Sequence, residues 1–255
     1  MTSPFRQRLK SGETLLGTIA SIPNIATAEI LANAGFDWLF LDAEHSPLSG
    51  TSLESLLSGI GRDTATLVRV PAPEEPPIKQ ALDLGATGII APQVNTPDQA
   101  ASVVRYARYA PEGARGVGIG RAHGYGMRFQ EYLAEAVAET VVVVQAEHRD
   151  AVDNIEKTVQ VEGIDAVLVG PYDLSASYGK MGELDDQTVV DAIQHVTDTC
   201  HKAKIPLGIF GLSPAAVAPF LNQGYKLIVV GVDALLLGRA AHSLQDEMRA
   251  QIKSS

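Results

Sequence analysis

The sequence predicts an α/β protein folded as a single (β/α)8 barrel. Three observations point there. Eight short apolar runs alternate with amphipathic stretches along 255 residues, the pattern of parallel strands joined by helices. Barrels of this kind take about 250 residues. No shift in composition divides the chain, so one domain spans residues 1–255.

Leu15–Ala20 reads as the first strand, and Pro23-Asn24 opens a helix that ends near Gly35. The run at 37–42, DWLFLD, is the second strand, followed by Ala43-Glu44-His45-Ser46-Pro47 and a helix over 52–60. TLVRV at 66–70 is the third strand. The prolines at 71, 73, 76 and 77 form a rigid loop that starts the helix at 78–84, because proline suits the first helical turn. Gly88–Ala91 is the fourth strand and 97–109 its helix. The rhythm then breaks at 110–127, a long glycine-rich stretch expected to be a flexible substrate loop. A helix over 129–138, a strand at 140–145 and a helix over 149–160 follow. Ala166–Val169 closes on Gly170-Pro171 and is the sixth strand. A long helix at 186–203, a strand at 205–210, the helix Pro214–Asn222, a strand at 227–231 and a closing helix at 233–251 complete eight units.

The totals exclude several classes. The formal net charge of -10 disfavours nucleic acid and anionic membrane surfaces as partners. Cys200 is the only cysteine, so no intrachain disulfide or cysteine zinc cluster forms, which suits a reducing cytoplasm. The first ten residues lack an apolar signal core, and no run reaches membrane-span length.

Barrel active sites stand at the C-terminal ends of the strands. Asp42, Glu44 and His45 follow the second strand, Arg69 lies in the third next to its end, Gln145-Ala146-Glu147 ends the fifth, and Asp173 follows the sixth. Glu147 and Asp173, without His or Cys support, suit a hard divalent cation that a 2-oxo acid could also chelate; as an alternative, each carboxylate merely caps its helix. Arg69, in an apolar strand, needs an anionic partner. That partner is either a substrate carboxylate or developing enolate, or a structural ion pair to Asp42 or Glu44. His45, close to two carboxylates, suits a general base, the alternative being a surface histidine. The other histidines have no such setting. Gly116 to Arg121 fails the G-x-G-x-x-G test. A phosphate site at 231–239 is opposed by Asp233 at its helix start. No lysine ends a strand; Lys204 and Lys226 precede strands, which excludes Schiff-base chemistry.

FDWLFLDAEHSP, LVRVP, GARGVG, the Q-x-E of Gln145–Glu147 and GPYDLSASYG, in this order over nearly the whole chain, resemble the HpcH/HpaI aldolase/citrate lyase family and its metal-dependent class II pyruvate aldolases. That group includes 4-hydroxy-2-oxoheptanedioate aldolase and 2-dehydro-3-deoxyglucarate aldolase. The resemblance implies a barrel of the phosphoenolpyruvate/pyruvate superfamily, a last helix exchanged between subunits, and homohexamers built as trimers of dimers. It implies Glu147 and Asp173 as ligands of Mg²⁺, Mn²⁺ or Co²⁺, His45 as acid/base, Arg69 as enolate stabiliser and Gln145 as substrate contact. It also gives the backbone at Tyr172-Asp173 to the pyruvate carboxylate, and Asp83 to raising the basicity of the histidine. Asp42 joins the catalytic set through its place at the strand end. Tyr172 stands where the family carries a smaller residue, and His148-Arg149 where Thr is common. The expected reaction is reversible cleavage of a 4-hydroxy-2-oxo acid to pyruvate, or a close 2-oxo acid such as hydroxypyruvate, and an aldehyde through a metal-stabilised enolate. The alternatives are an oxaloacetate decarboxylase or CoA-ester lyase on the same chemistry, and a non-catalytic acid-binding barrel.

Overall fold

The computed structural model describes residues 4–254; Met1–Ser3, part of the segment read for a signal core, and Ser255 lie outside the described residues. Eight parallel strands close into a barrel in sequence order, with β8 paired back to β1. The strands are β1 (Leu15–Ala20), β2 (Trp38–Asp42), β3 (Ala65–Arg69), β4 (Gly88–Ala91), β5 (Val141–Ala146), β6 (Ala166–Val169), β7 (Leu207–Gly211) and β8 (Leu227–Val232). The helices are α1 (Phe5–Lys10), α2 (Ile25–Asn33), α3 (Gly50–Ile60), α4 (Glu75–Asp83), α5 (Pro97–Ala107), α6 (Phe129–Glu139), α7 (Arg149–Asp153), α8 (Ile155–Thr158), α9 (Pro171–Ser177), α10 (Gln187–Ala203), α11 (Pro214–Asn222) and α12 (Asp233–Ser254). Several begin where the chain supplies a cap. Thr96 and Gln99 exchange hydrogen bonds ahead of Pro97, Asp186 accepts from the Thr188 amide, and Asn24 accepts from the Ala26 amide, each removing an orphan donor from a first turn.

Two apolar layers hold the barrel. Side chains alternate across a strand, and here one set points inward and the other toward the helices. Trp38 and Phe40, Leu67, Ile90, Val141 and Val143, and Ala166 and Leu168 fill the inside. Leu39 and Leu41, Val68, Ile89, Val142 and Val144, and Val167 and Val169 pack beneath the helices. The lower end is plugged by α1, whose Phe5 and Leu9 are buried against the inner layer. Trp38 fills the floor so tightly that a Cβ on Gly17 would lie 2.5 Å from its ring. The sequence pattern did not disclose α1, because six residues are too few for a periodic signal and its anchors are tertiary: Arg6 Nε lies 2.7 Å from Asp165 Oδ1.

Two further expectations are modified. The helix at 149–160 is two helices, α7 and α8, broken at Asn154, whose side-chain amide donates to the carbonyls of Asn95 and Asp150. The 110–127 stretch joins α5 to α6 and lies at the N-terminal rim, away from the strand ends that carry the site. Helices return the chain to that rim, so an αβ connection cannot reach the other one. Arg121 from this loop donates to the carbonyls of Leu84 and Leu57 at the ends of α4 and α3, both 2.9 Å, and the buried His123 ring takes the Gly126 amide at 3.0 Å. Asp233 takes the Ser21 and Ile22 amides, both at 2.9 Å, and is a structural cap. Among the described residues no helix is long and apolar enough to cross a membrane. At its start α12 touches β1 and β8; Leu236, Leu237, Leu244, Met248 and Ile252 along it are exposed.

Candidate active site

The inward parity of the strands delivers the site. Two residues above Phe40 comes Asp42, two above Leu67 comes Arg69, two above Val143 comes Gln145, and Glu147 follows one step beyond. Where the inner layer stops being apolar, polar side chains take the same inward positions. Asp42 and Arg69 are direct register partners on neighbouring strands. Their pairing is bidentate, Nε to Oδ1 at 2.9 Å and Nη2 to Oδ2 at 2.7 Å. Arg69 Nη1 also stands 3.2 Å from Glu44 Oε2, and the guanidinium lies 5.2 Å above the Phe40 ring. The structural ion pair and the functional guanidinium thus coincide in one residue that still lines the cavity.

Asp42 organises the loop that carries His45. Its Oδ1 accepts from the Glu44 amide at 3.1 Å and the His45 amide at 3.2 Å. His45 is 65% exposed, with Nε2 3.5 Å from Glu44 Oε2. Burial raises the Asp42 carboxyl, but Arg69 and the two amides outweigh it and hold it below its usual range. Burial opposes the charge on Arg69, yet Asp42, Glu44 and Glu147 raise its pKa. Glu44 goes the other way: burial raises it, Asp42 and Asp173 add to the rise, and Arg69 and His45 only partly oppose it.

Glu147 is almost fully buried. Its Oε1 takes the Gln93 amide at 2.7 Å, and Gln145 donates its side-chain amide to Oε2. Gln93 holds a φ of 53° to make that contact, a left-handed backbone that most residues avoid. Burial pushes the Glu147 carboxyl up to about 7, helped by Glu44 and Asp173 and opposed by the Gln93 amide and Arg69. Gly170, the residue after β6 in the inward parity of Ala166 and Leu168, faces this pair. A Cβ there would stand 2.9 Å from Glu147 Cβ and 3.3 Å from the Gln145 amide nitrogen, so only glycine lets the strand end pass. Asp173 and Tyr172 sit in the first turn of α9 and line the same cavity of ≈ 260 Å³, with His45, Arg69 and Gln145.

The structure therefore gathers Asp42, His45, Arg69, Gln145, Glu147, Tyr172 and Asp173. It does not bring Asp83 to them. Asp83 ends α4 at the opposite rim, where Arg115 Nη2 holds it at 2.6 Å. Sequence reading gave Glu44 no separate role and did not mark Gly170 or Gln93 as part of the site. The inward parity of Gly170 was a usable signal; the Gln93 amide carried none.

A model of the HpcH/HpaI aldolase/citrate lyase family matches residues 20–240. This chain belongs to that family. It is 39% identical to a hydroxypyruvate/pyruvate aldolase of Roseobacter denitrificans, over 94% of both chains. It is 40% identical to a 4-hydroxy-2-oxovalerate aldolase of Rhodococcus jostii, over 96% of both. A crystal structure of a family protein from Burkholderia cenocepacia superposes with a TM-score of 0.91 at 38% identity, covering 96% of this chain and 98% of that one. The closed barrel and its strand order agree with membership.

The donor set also fits a divalent cation. Four carboxylates, Asp42, Glu44, Glu147 and Asp173, stand around one guanidinium, and burial, with repulsion between them adding to it, raises Glu44 and Glu147. The Gln145 side-chain oxygen is buried with no hydrogen-bond partner, an acceptor left open beside Glu147. Among the described residues no three His, Cys, Asp or Glu side chains form a metal cage, so the protein itself would supply few ligands.

Proposed function

We propose that this chain catalyses reversible aldol cleavage of a 4-hydroxy-2-oxo acid to pyruvate or hydroxypyruvate and an aldehyde. Family membership and the named relatives make it a carbon–carbon lyase of the aldolase type; the donor, the metal and the residue roles are our reading. The observation that carries it is the buried Glu147 carboxylate, repelled by Asp173 and bonded by Gln145, next to a cavity that Arg69, Gln145 and Asp173 line. Glu147 and Asp173 would hold Mg²⁺, Mn²⁺ or Co²⁺, which supplies Lewis-acid polarisation of a 2-oxo group. Arg69, fixed by Asp42 and Glu44, places a permanent planar charge where the enolate oxygen develops. The open Gln145 oxygen contacts the bound acid. The amides of Tyr172 and Asp173, in a first helical turn without intrahelical acceptors, face its carboxylate. His45, on the exposed loop set by Asp42, takes the proton from the 4-hydroxyl in cleavage and returns it in condensation. A cavity of ≈ 260 Å³ suits two small fragments and opposes a CoA ester, since even drug-sized ligands take roughly 300–1,000 Å³.

Self-association belongs to the same reading. The exposed apolar residues of α12 support its exchange between subunits in a hexamer. Asp83, at the far rim of its own barrel, would reach a His45 only from another copy. A reducing cytoplasm suits Cys200, which is buried and whose thiol burial pushes up to about 12.

The test is exchange of pyruvate methyl protons for deuterium, followed by NMR. Exchange should require the enzyme, stop with EDTA and return with Mg²⁺, Mn²⁺ or Co²⁺. No exchange with any of these cations removes pyruvate enolisation and, with it, pyruvate as the donor.

A further inference from the structure

Among the described residues, three other than glycine hold a left-handed backbone: Gln93, Tyr125 and Lys204. Lys204 ends α10, where that conformation is ordinary, and Tyr125 lies in the loop at the N-terminal rim. Gln93 alone stands at the strand ends that carry the site. It follows β4 by two residues, and Glu147 Oε1 accepts its amide at 2.7 Å.

The turn that contains Gln93 carries a second cost. Asn95 Oδ1 is buried without a hydrogen-bond partner. A left-handed residue and an orphaned buried acceptor persist so close together only where the surroundings hold the backbone. Two holds are visible. Downstream, the Asn95 and Thr96 amides donate to Gln99 Oε1 at 2.8 Å and 3.0 Å, which ties the turn to α5. Across the barrel wall, Asn154 donates its side-chain amide to the Asn95 carbonyl at 3.1 Å and to the Asp150 carbonyl at 2.9 Å. Asn154 stands at the break between α7 and α8. The segment that begins at Glu147 therefore returns, through Asn154, to grip the turn whose amide Glu147 accepts.

Resting on the reading of Glu147 as a cation ligand, we propose that Asn154 is a positioning residue for that site. By holding the Asn95 carbonyl it keeps Gln93 left-handed, and the Gln93 amide then fixes one oxygen of the Glu147 carboxylate. Gln145 donates to the other. A carboxylate pinned at both oxygens cannot turn away from the cation it is meant to receive. Neither Asn154 nor Asn95 lines the cavity, so the effect passes through the backbone and not through contact with a ligand.

The experiment compares the wild type with Asn154→Ala, Gln93→Gly and the double variant. Mn²⁺ affinity is read by calorimetry, and hydrogen exchange of the Gln93 amide is read in the cation-free protein. Asn154→Ala should weaken Mn²⁺ binding about tenfold and speed exchange at Gln93, while the β5 amides stay protected. Glycine takes a left-handed backbone without strain and keeps the amide. Adding Gln93→Gly to Asn154→Ala should therefore recover most of the lost affinity, a non-additive result. A role confined to joining α7 and α8 would not be relieved at Gln93. Unchanged Mn²⁺ affinity in Asn154→Ala, or a loss that Gln93→Gly leaves in place, overturns this inference and spares the cation reading. Should Asn154→Ala fail to fold, Asn154→Ser, which keeps a polar helix start, carries the same comparison. If the wild type binds no Mn²⁺, the cation reading falls, and unchanged Gln93 exchange in the variant would overturn the hold on the turn as well.

Discussion

The two rims of the barrel both bury carboxylates against arginine, in opposite proportions. At the N-terminal rim one carboxylate, Asp165, meets Arg6 at 2.7 Å, Arg108 at 3.2 Å and Lys10 at 3.3 Å, and also takes the Val142 amide at 2.9 Å. Every lone pair has a donor, and the cluster fastens α1 and α5 to the barrel floor. At the C-terminal rim four carboxylates share Arg69, and two of them are raised by burial and mutual repulsion. Burial and polarity are alike at the two ends. What differs is completeness: the lower cluster is satisfied by the chain itself, whereas the upper one is short of positive charge. A deficit of that kind is stable only where stability is given up for binding, and it marks the end of the barrel that works on a ligand.

Four substitutions or titrations would break or sharpen this contrast, the largest effect first. Glu147→Gln should cut kcat/KM about 10³-fold or more while leaving the cation-free protein as stable as before or more so, since it removes a strained charge. Thermal melts with and without Mn²⁺ would check both halves; retained activity would sink its assignment as a cation ligand. Asp165→Ala should do the reverse. It strands Arg6 and Arg108 at a largely buried site and should cost about 3–5 kcal/mol of stability, read by denaturant unfolding, with activity per folded molecule nearly unchanged. Arg69→Lys keeps the charge but loses the bidentate fork to Asp42, and should lower kcat about 10²-fold. An unchanged kcat would show that charge alone suffices there.

The fourth concerns pH. The Glu147 carboxyl, at about 7 in the fold against an ordinary 4.5, keeps its proton over a range in which the unfolded chain has lost it. Folding takes up a proton there, so the cation-free protein should lose stability as pH rises from about 4.5 to 7. A cation needs the ionised form, so Mn²⁺ affinity by calorimetry should rise by up to tenfold per pH unit below about 7 and flatten above it. A flat profile from pH 5 to 7 would show that Glu147 is already ionised and that the repulsion is relieved in another way.

Much of this molecule was legible as a string. Leu15–Ala20, Gly88–Ala91 and Ala166–Val169 have the bounds read from their apolar runs, and the remaining strands moved by one or two residues. Asp42, His45, Arg69, Glu147 and Asp173 were found by one rule, that barrel chemistry follows strand ends. What was not legible depends on the chain's path through space. The 110–127 loop was expected to meet substrate because it is long and glycine-rich, but it joins α5 to α6 and stands at the lower rim of its own barrel. Asp83 was brought to the site by resemblance, and in the single barrel it stands at the end of α4, bound to Arg115. The break at Asn154 depends on a side-chain bond to the Asn95 carbonyl, a partner fifty-nine residues away that no local pattern contains.

The sequence alone determined the order of strands and helices, because side-chain periodicity and capping act over a few residues. It determined which strand ends carry charge, because that is a matter of position along the chain. Only the tertiary structure decided how those charges meet. Closure of β8 on β1 and the register that sets Asp42 opposite Arg69 concentrate four carboxylates around one guanidinium, and burial then raises Glu147. Charge interaction and desolvation depend on distances through space, and those exist only once the barrel has closed.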